Sequence, residues 1–271
     1  MGTIGVISRI TGLDAEIITF YRLFFGAGFM LMYLLATKKA GFVYSWPSWQ
    51  VLINGFFLAA FILFYVQATN YTSLANAIMT IYLAPVAASV LAHFFLKEKL
   101  RLPNVILIIA ALTGFLMMME FKLDFTSGTD DAVGFSYGLL ALGAYAGFII
   151  INRLIPDRVH VYSRSWYQLA IGALCILPFA ISKGGDISAI QWGWLILAGV
   201  FPGFLAIMFA VVALRHLPAT VFGTLAYLEP ISVVLFGWLI FAETLSQLQL
   251  FGCFCILASG IVQGRLATRS P

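Results

Sequence analysis

Residues 219–241 read ATVFGTLAYLEPISVVLFGWLIF, and a matching stretch at 74–95 reads LANAIMTIYLAPVAASVLAHFF. Each stretch is long enough to cross the hydrocarbon core of a bilayer, which takes about 20 residues of helix. Each carries one proline near its middle, Pro85 or Pro230, and the later stretch also contains a single acid, Glu229. We therefore expect two membrane-spanning helices that are interrupted at matching places.

The composition of the whole chain indicates a lipid environment. The 271 residues are 62% apolar and 10% charged, whereas a soluble chain is about 45–50% apolar and about 25% charged. Because the mean hydropathy is +1.00, the apolar residues cannot all be turned inward. A soluble enzyme, a nucleic-acid binder and a disulfide scaffold are excluded, and the sequence contains no catalytic, metal-binding or cofactor motif.

Nine apolar runs are predicted to span the membrane. They cover residues 17–37, 49–69, 74–95, 103–119, 133–152, 162–182, 191–214, 217–241 and 246–264. A tenth run, Met1 to Ile10, is too short, because ten helical residues rise about 15 Å against a hydrocarbon core of about 30 Å. We interpret it as the outer half of a first span that begins upstream. The predicted fold is an all-α integral membrane protein with ten transmembrane helices, the first one truncated.

The chain repeats itself with a shift of 145 residues. The shift aligns Trp49 with Trp194, Phe64 with Phe209, Tyr82-Leu83 with Tyr227-Leu228, Pro85 with Pro230 and Glu98 with Glu243. The predicted repeats are 1–119 and 133–266, joined by an outer loop at 120–132. Since each repeat holds five spans, an odd number, the second must lie inverted in the membrane. Inverted repeats are typical of secondary transporters, whose substrate site lies near the midplane where the repeats meet.

Lys and Arg residues predict the orientation of the chain, because they favour the cytoplasmic side. Three of the fifteen, Arg9, Lys122 and Lys183, fall at outer joints, and Arg22 lies within a span. The other eleven fall at inner joints and are Lys38, Lys39, Lys97, Lys99, Arg101, Arg153, Arg158, Arg164, Arg215, Arg265 and Arg269. We expect cytoplasmic N- and C-termini in a multi-pass protein of the cell membrane, which in a prokaryote is the inner membrane.

The paired motifs resemble those of a known family. Tyr82-Leu83-Ala84-Pro85 with Glu98, and Tyr227-Leu228-Glu229-Pro230 with Glu243, are similar to the repeats of EamA-type transporters in the drug/metabolite transporter superfamily. The resemblance covers nearly the whole chain. It implies that a small metabolite, often an amino acid, is exported or imported through a central cavity, commonly by proton exchange.

The two prolines are candidate hinges. A proline lacks the backbone N–H and crowds the carbonyl four residues back, which here belongs to Ile81 or Ala226. Lipid cannot satisfy these carbonyls, so they must face protein, water or a ligand. We predict that Pro85 and Pro230 line a transport cavity or form its hinge; the alternative is a kink that serves packing alone.

Glu229 is the only acid in the middle of a span. A charged acid at that depth costs about 2.5–3.5 kcal/mol, and such residues usually face a cavity and have a function. One interpretation is a carboxyl that loads and releases a proton, and another is a contact for a substrate amine. The alternative is a protonated glutamate that bonds to a neighbouring helix and serves structure only.

Other polar side chains are candidates for the same cavity. Those predicted to contact substrate are Asn54, Tyr65, Gln67, Asn76, Tyr82 and Tyr227. The amides and Tyr65 have helix–helix contact as their alternative role, and the other two tyrosines have ordinary packing. Arg22, close to the outer surface, is a possible gate, or it extends to the interface. His160 lies in an inner joint and is expected to be solvated.

Together these features predict a secondary active transporter, by preference an exporter, of a small metabolite such as an amino acid. It would work by alternating access and possibly with proton coupling. A passive small-solute channel and an integral membrane enzyme are the alternatives. The expected partners are a small-molecule substrate and the lipid bilayer, with no nucleic acid and no cofactor. The protein is expected to be a monomer or a homodimer.

Overall fold

The computed structural model describes residues 7, 10–44, 47–72, 74–121, 129–183, 186–242 and 244–269. The elements formed by these residues are all helices. They are α1 (Ala15–Ala36), α2 (Gly41–Tyr44), α3 (Trp49–Tyr71), α4 (Leu74–Ile81), α5 (Ala84–Phe95), α6 (Leu102–Met118), α7 (Thr129–Leu154), α8 (Val161–Ser182), α9 (Ala189–Ala198), a π-helical segment (Gly199–Leu205), α10 (Ala206–His216), α11 (Ala219–Ala226), α12 (Leu228–Phe241) and α13 (Gln247–Arg269).

The predicted spans are confirmed by these helices. Eight helical stretches in the described ranges are long and apolar enough to cross a membrane, and α6 adds a shorter apolar helix of 17 residues. Together they coincide with the nine predicted runs to within a few residues. Most of the Met1–Ile10 run, the centre of the predicted outer loop (122–128) and Glu243 lie outside the described residues.

Two spans are interrupted where the prolines are. Tyr82 and Leu83 separate α4 from α5, and Tyr227 separates α11 from α12. Each proline then lies in the first turn of the following helix, where its missing N–H has no intrahelical partner to lose. A span that would otherwise be one long helix is therefore divided into two short ones, each with its own helix ends inside the membrane.

A third proline widens a helix instead of breaking it. Pro202 lies inside the π-helical segment between α9 and α10. A β-carbon on Gly203 would collide with the backbone oxygen of Arg22, and one on Gly26 would lie 3.1 Å from the backbone of Gly203. The absence of side chains at these two glycines lets α1 and the π-helical segment pack backbone against backbone.

The helices follow the register of the sequence repeat. Helices α1 and α8 begin at residues 15 and 161, α4 and α11 at 74 and 219, and α6 and α13 at 102 and 247. These three pairs of helix starts keep the 145-residue shift to within one residue, whereas α9 begins at residue 189, five residues before the counterpart of the α3 start at residue 49. This confirms the predicted fold, an all-α membrane protein built from two five-helix repeats.

The described chain forms two compact units, and each draws on both repeats. Unit 1 contains residues 1–63 and 151–215, and unit 2 contains residues 64–150 and 216–271. In unit 1, α1 packs on α8 and on the π-helical segment. In unit 2, α6 packs on α13, and Phe115 and Tyr227 are fully buried in the core beside them.

Buried polar groups stabilise the turn between α7 and α8 in unit 1. The guanidinium of Arg164 donates to the carbonyl oxygens of Asn152, Pro156 and Val159 at 2.9–3.4 Å. Although Arg164 counts among the basic residues of a predicted inner joint, its side chain is almost fully buried. A cation suits this place, because the last carbonyls of a helix carry partial negative charge.

Candidate substrate and coupling site

A hydrogen bond joins the two helix interruptions of unit 2. The hydroxyl of Tyr227 donates to the backbone carbonyl of Tyr82 at 2.5 Å, and their ring centroids lie 5.9 Å apart. The ring of Tyr82 also stacks on Phe115 of α6 at 4.4 Å. Tyr227 is fully buried, so in this conformation its hydroxyl donates to the Tyr82 carbonyl rather than to water. The two matching tyrosines thus bring the two breaks together.

Glu229 lies beside these breaks, in the first turn of α12, and is half-buried. Its carboxyl group interacts electrostatically with the hydroxyls of Tyr65, Tyr82 and Tyr145. These tyrosines come from α3, from the α4–α5 break and from α7. The amino-terminal end of α12 adds favourable potential for a negative charge. We call Glu229 and the tyrosines at 65, 82 and 145 the acid–tyrosine cluster.

Tyr145 is a member of this cluster that the sequence analysis missed. It lies in the middle of α7, in a mostly apolar span that also contains Tyr137. The 145-residue shift has no partner for it, because its counterpart would precede Met1. The available signal was a tyrosine at mid-span, and only the fold brings it within electrostatic range of Glu229.

The two hinge candidates are enclosed by protein. Pro85 and Pro230 are both buried. A β-carbon on Gly223 of α11 would lie 3.0 Å from the β-carbon of Pro85 and 3.2 Å from its carbonyl oxygen. Helix α11 therefore approaches the start of α5 closely.

Asn76 belongs to a polar row along one side of α4. Its side-chain nitrogen donates to the hydroxyl of Thr72 at 3.0 Å, and the hydroxyl of Thr80 donates to its backbone oxygen at 2.8 Å. β-Carbons on Gly134 and Gly138 of α7 would lie 2.7 Å and 3.1 Å from the side chains of Thr72 and Thr80. Helix α7 thus packs directly on this row, as the alternative of helix–helix contact predicts.

The remaining candidates divide between the units. Gln67 is half-buried in unit 2, which also holds Tyr65. Asn54 and Arg22 belong to unit 1. Asn54 is fully buried, and within the described ranges neither polar atom of its amide has a hydrogen-bond partner. Arg22 is 5% exposed, so its side chain is enclosed by protein rather than extended to the interface.

Glu98, a residue of the paired motifs, caps a helix. Its carboxylate oxygen accepts the backbone N–H of Ala219, the first residue of α11, at 2.9 Å. The preceding residue is Pro218, which has no side-chain oxygen to serve as a cap. A carboxylate at a helix start satisfies a free N–H and stabilises the positive end of the helix. The first-repeat glutamate thus supports the helix that leads to the second break.

The described helices are apolar and long enough to span a membrane, and two of the spans are interrupted; comparisons with known proteins indicate a membrane transporter rather than an enzyme. Residues 1–120 and 132–262 match the EamA-like transporter family. The chain belongs to this family.

The named relatives are transporters, and a solved structure shares the fold of this chain. The pseudopaline exporter CntI of Pseudomonas aeruginosa strain UCBPP-PA14 is 27% identical, over 93% of this chain and 87% of its own length. The S-adenosylmethionine uptake transporter of Rickettsia conorii is 23% identical, over 93% of this chain and 84% of its own length. A crystal structure of a protein superposes with a TM-score of 0.86 at 20% identity, covering 99% of this chain and 94% of that one.

Proposed function

We propose that the protein is a secondary active transporter that exports a small organic metabolite by alternating access, with Glu229 as its coupling or recognition carboxyl. The observation that supports this most directly is the acid–tyrosine cluster at the interrupted helices. Paired helix interruptions in two repeats are the usual place for the binding site of a secondary transporter.

The chemistry of the cluster suits a carboxyl that changes its charge or its partner. Tyrosine hydroxyls are both donors and acceptors, so they can bond to a carboxylate or to a protonated carboxyl. The hydroxyls of Tyr65, Tyr82 and Tyr145, which lie within electrostatic range of Glu229, suit either form of its carboxyl group. A substrate ammonium group and a proton would compete for the same oxygen atoms, which would couple substrate release to proton uptake.

The two breaks are the proposed moving parts. In this conformation the Tyr227 hydroxyl bonds to the Tyr82 carbonyl, and the first turns that contain Pro85 and Pro230 follow directly. A few residues at helix ends can absorb the dihedral changes of a hinge. We propose that the bond forms in one conformation and breaks in the other, while Gln67 and Asn76 of the same unit contribute polar groups to the path.

The proposed substrate is a small metabolite such as an amino acid, and the proposed direction is export. The exporter CntI, a relative over most of the chain, supports export. The proposed orientation places both termini in the cytoplasm with the two repeats inverted, because Lys and Arg favour that side. The proposed location is the cell membrane.

Counterflow in proteoliposomes tests the proposal. Vesicles that contain purified protein are preloaded with single amino acids and related metabolites, and entry of the labelled compound is measured. A carrier shows faster entry when its substrate is present on the opposite side, whereas a channel shows no such stimulation. Tyr145→Phe should weaken counterflow, and Tyr137→Phe, two turns away on α7, is the matched control.

If no compound in a broad metabolite set shows stimulation across the membrane, while labelled solutes equilibrate passively, the carrier proposal is wrong and the channel alternative holds. Equal loss of counterflow in the Tyr145→Phe and Tyr137→Phe variants would show that the acid–tyrosine cluster has no specific role in transport.

A further inference from the structure

A cavity with basic and hydroxyl-bearing residues in its lining lies in unit 1, whereas the acid–tyrosine cluster belongs to unit 2. Its volume is about 610 Å³, within the range of about 300–1,000 Å³ that small-molecule sites occupy. The lining residues come from the end of α1, from α2, from the turn before α3 and from the start of α8. They are Lys38, Lys39, Gly41, Phe42, Pro47, Ser48, Arg158, Val159, His160 and Ser163. We call this cavity the basic pocket.

The charge of the basic pocket has one sign. Lys38, Lys39 and Arg158 line it, and no acidic side chain is among its lining residues in the described ranges. The nearby carboxylate of Asp157 instead contacts Arg215 at 3.7 Å and Arg164 at 4.0 Å. The pocket also includes the first turn of α8, and the start of a 22-residue helix attracts anions.

Two hydroxyl groups in the pocket are buried and have no hydrogen-bond partner among the residues that the structure describes. These are the side-chain oxygens of Ser48 and Ser163, for which the described residues offer no hydrogen bond. Ser163 is 2% exposed. The backbone oxygen of Val159, four residues earlier and the usual acceptor for a helical serine, already accepts from Arg164 at 2.9 Å. By contrast, Ser165 donates to Val161 at 2.9 Å.

His160 also lines the basic pocket. Its Nδ1 accepts the backbone N–H of Tyr162 at 3.2 Å, so the proton of the neutral ring lies on Nε2 and can be donated. The ring stacks on Phe42, with centroids 4.1 Å apart. Phe42 gives the pocket an apolar side that suits the organic part of a ligand.

We propose that the basic pocket binds a phosphate ester group. Two lysines, an arginine, an imidazole N–H and two buried hydroxyls supply more donors than the two oxygens of a carboxylate can use, whereas a phosphate offers more oxygens in different directions. The pocket lies at the ends of membrane-spanning helices, where either the headgroup of an acidic phospholipid or a soluble phosphate could enter. This inference is independent of the proposed transport function.

Two probes distinguish a phosphate group that belongs to a phospholipid headgroup from one that belongs to a soluble molecule. In the first, the purified protein is exchanged into mixed micelles of phosphatidylglycerol and phosphatidylcholine, and retained lipids are counted by native mass spectrometry. In the second, inorganic phosphate is titrated by calorimetry into protein in phosphatidylcholine nanodiscs. Retention of phosphatidylglycerol assigns a lipid headgroup, and heat from inorganic phosphate assigns a soluble ligand.

Matched variants test the location. The triple variant Lys38→Gln, Lys39→Gln, Arg158→Gln removes three charges from the pocket. The triple variant Lys97→Gln, Lys99→Gln, Arg101→Gln removes the same charge from the turn between α5 and α6. We expect the first to weaken binding at least tenfold and the second to leave it within about twofold, because hydrogen bonds to charged groups are the strong ones.

A smaller pair of variants guards against misfolding of the triple variant. Ser163→Ala removes a free hydroxyl from the pocket, and Ser165→Ala removes one that is bonded within α8. We expect weaker binding for the first alone, with both variants melting as the unmodified protein does to within a few degrees. If neither probe binds the unmodified protein, or if pocket and control variants lose binding equally, the proposal is overturned.

Discussion

The hydroxyl of Tyr227 donates to the backbone carbonyl of Tyr82, the residue that stands 145 positions before it. Each tyrosine lies at the break of its own span. The bond therefore joins two residues that occupy equivalent positions in the two repeats. Phe115 packs against both rings. The bond therefore connects the two interruptions at the place where Glu229 also lies.

Loss of this bond should destabilise the conformation. Tyr227→Phe removes the donor and leaves the Tyr82 carbonyl without it, which should cost about 0.5–1.5 kcal/mol of unfolding free energy. Thermal unfolding in detergent measures the effect. Tyr137→Phe is the control, because Tyr137 stacks on Tyr71 and its hydroxyl donates no bond in the described part of the chain. Equal melting of the two variants would show that the Tyr227–Tyr82 bond contributes nothing.

The contact between α6 and α13 should not tolerate a methyl group. A β-carbon on Gly114 would lie 2.7 Å from the backbone oxygen of Gly252 and 3.0 Å from the side chain of Cys255. Gly114→Ala should therefore reduce the unfolding free energy by about 1–3 kcal/mol, as overpacking does. Gly143→Ala on α7 has open space around its β-carbon and should be neutral or slightly stabilising. A neutral Gly114→Ala would contradict this close approach of the two helices.

Glu98 should stabilise the start of α11 as a cap. Glu98→Ala removes the acceptor for the Ala219 N–H, and loss of a helix cap costs about 0.5–2 kcal/mol. Glu98→Gln keeps an oxygen in place and should recover part of that loss. Chemical denaturation of the three proteins in one detergent gives the comparison. If the glutamine variant is as unstable as the alanine variant, the charge of Glu98 matters rather than its position as an acceptor.

His160 should make stability depend on pH. Burial lowers the pKa of the imidazole below its ordinary value, and Arg215, Lys39 and Arg164 lower it further. The unfolded chain therefore takes up a proton as pH falls below about 6.5, while the folded protein does not. The full free energy of unfolding is therefore present above that pH. The part of it that depends on His160 is lost progressively as the pH falls toward the pKa of the folded state. His160→Gln should reduce the difference between melting temperatures at pH 7.5 and 5.5; an unchanged difference would exclude this role.

The spans, the repeat and the helix interruptions could be predicted because each is local in the sequence. Apolar length predicts a membrane helix, and Pro85 and Pro230 predict where a helix must end. The 145-residue register follows from matched pairs such as Tyr82 and Tyr227. These features need no knowledge of which helices are neighbours.

The composition of the sites could not be predicted, because it depends on which side chains the fold brings together. Tyr145 comes within electrostatic range of Glu229 although the 145-residue shift gives it no counterpart, and Glu98 bonds to Ala219 across 121 positions. His160 was expected to be solvated, yet it is half-buried and stacks on Phe42. Similarly, no local pattern distinguishes the free hydroxyl of Ser163 from the bonded hydroxyl of Ser165 two residues later.

The most direct test of the account is the pH dependence of exchange by Glu229→Gln in proteoliposomes. Once counterflow has identified a transported metabolite, its exchange is measured with and without an imposed pH gradient in the unmodified protein and in the variant, with Glu98→Gln as a control for the loss of a carboxylate elsewhere. The account predicts that the pH gradient accelerates exchange in the unmodified protein and in Glu98→Gln, and has no effect in Glu229→Gln. A Glu229→Gln protein that responds to the gradient and exchanges its substrate as the unmodified protein does would contradict it.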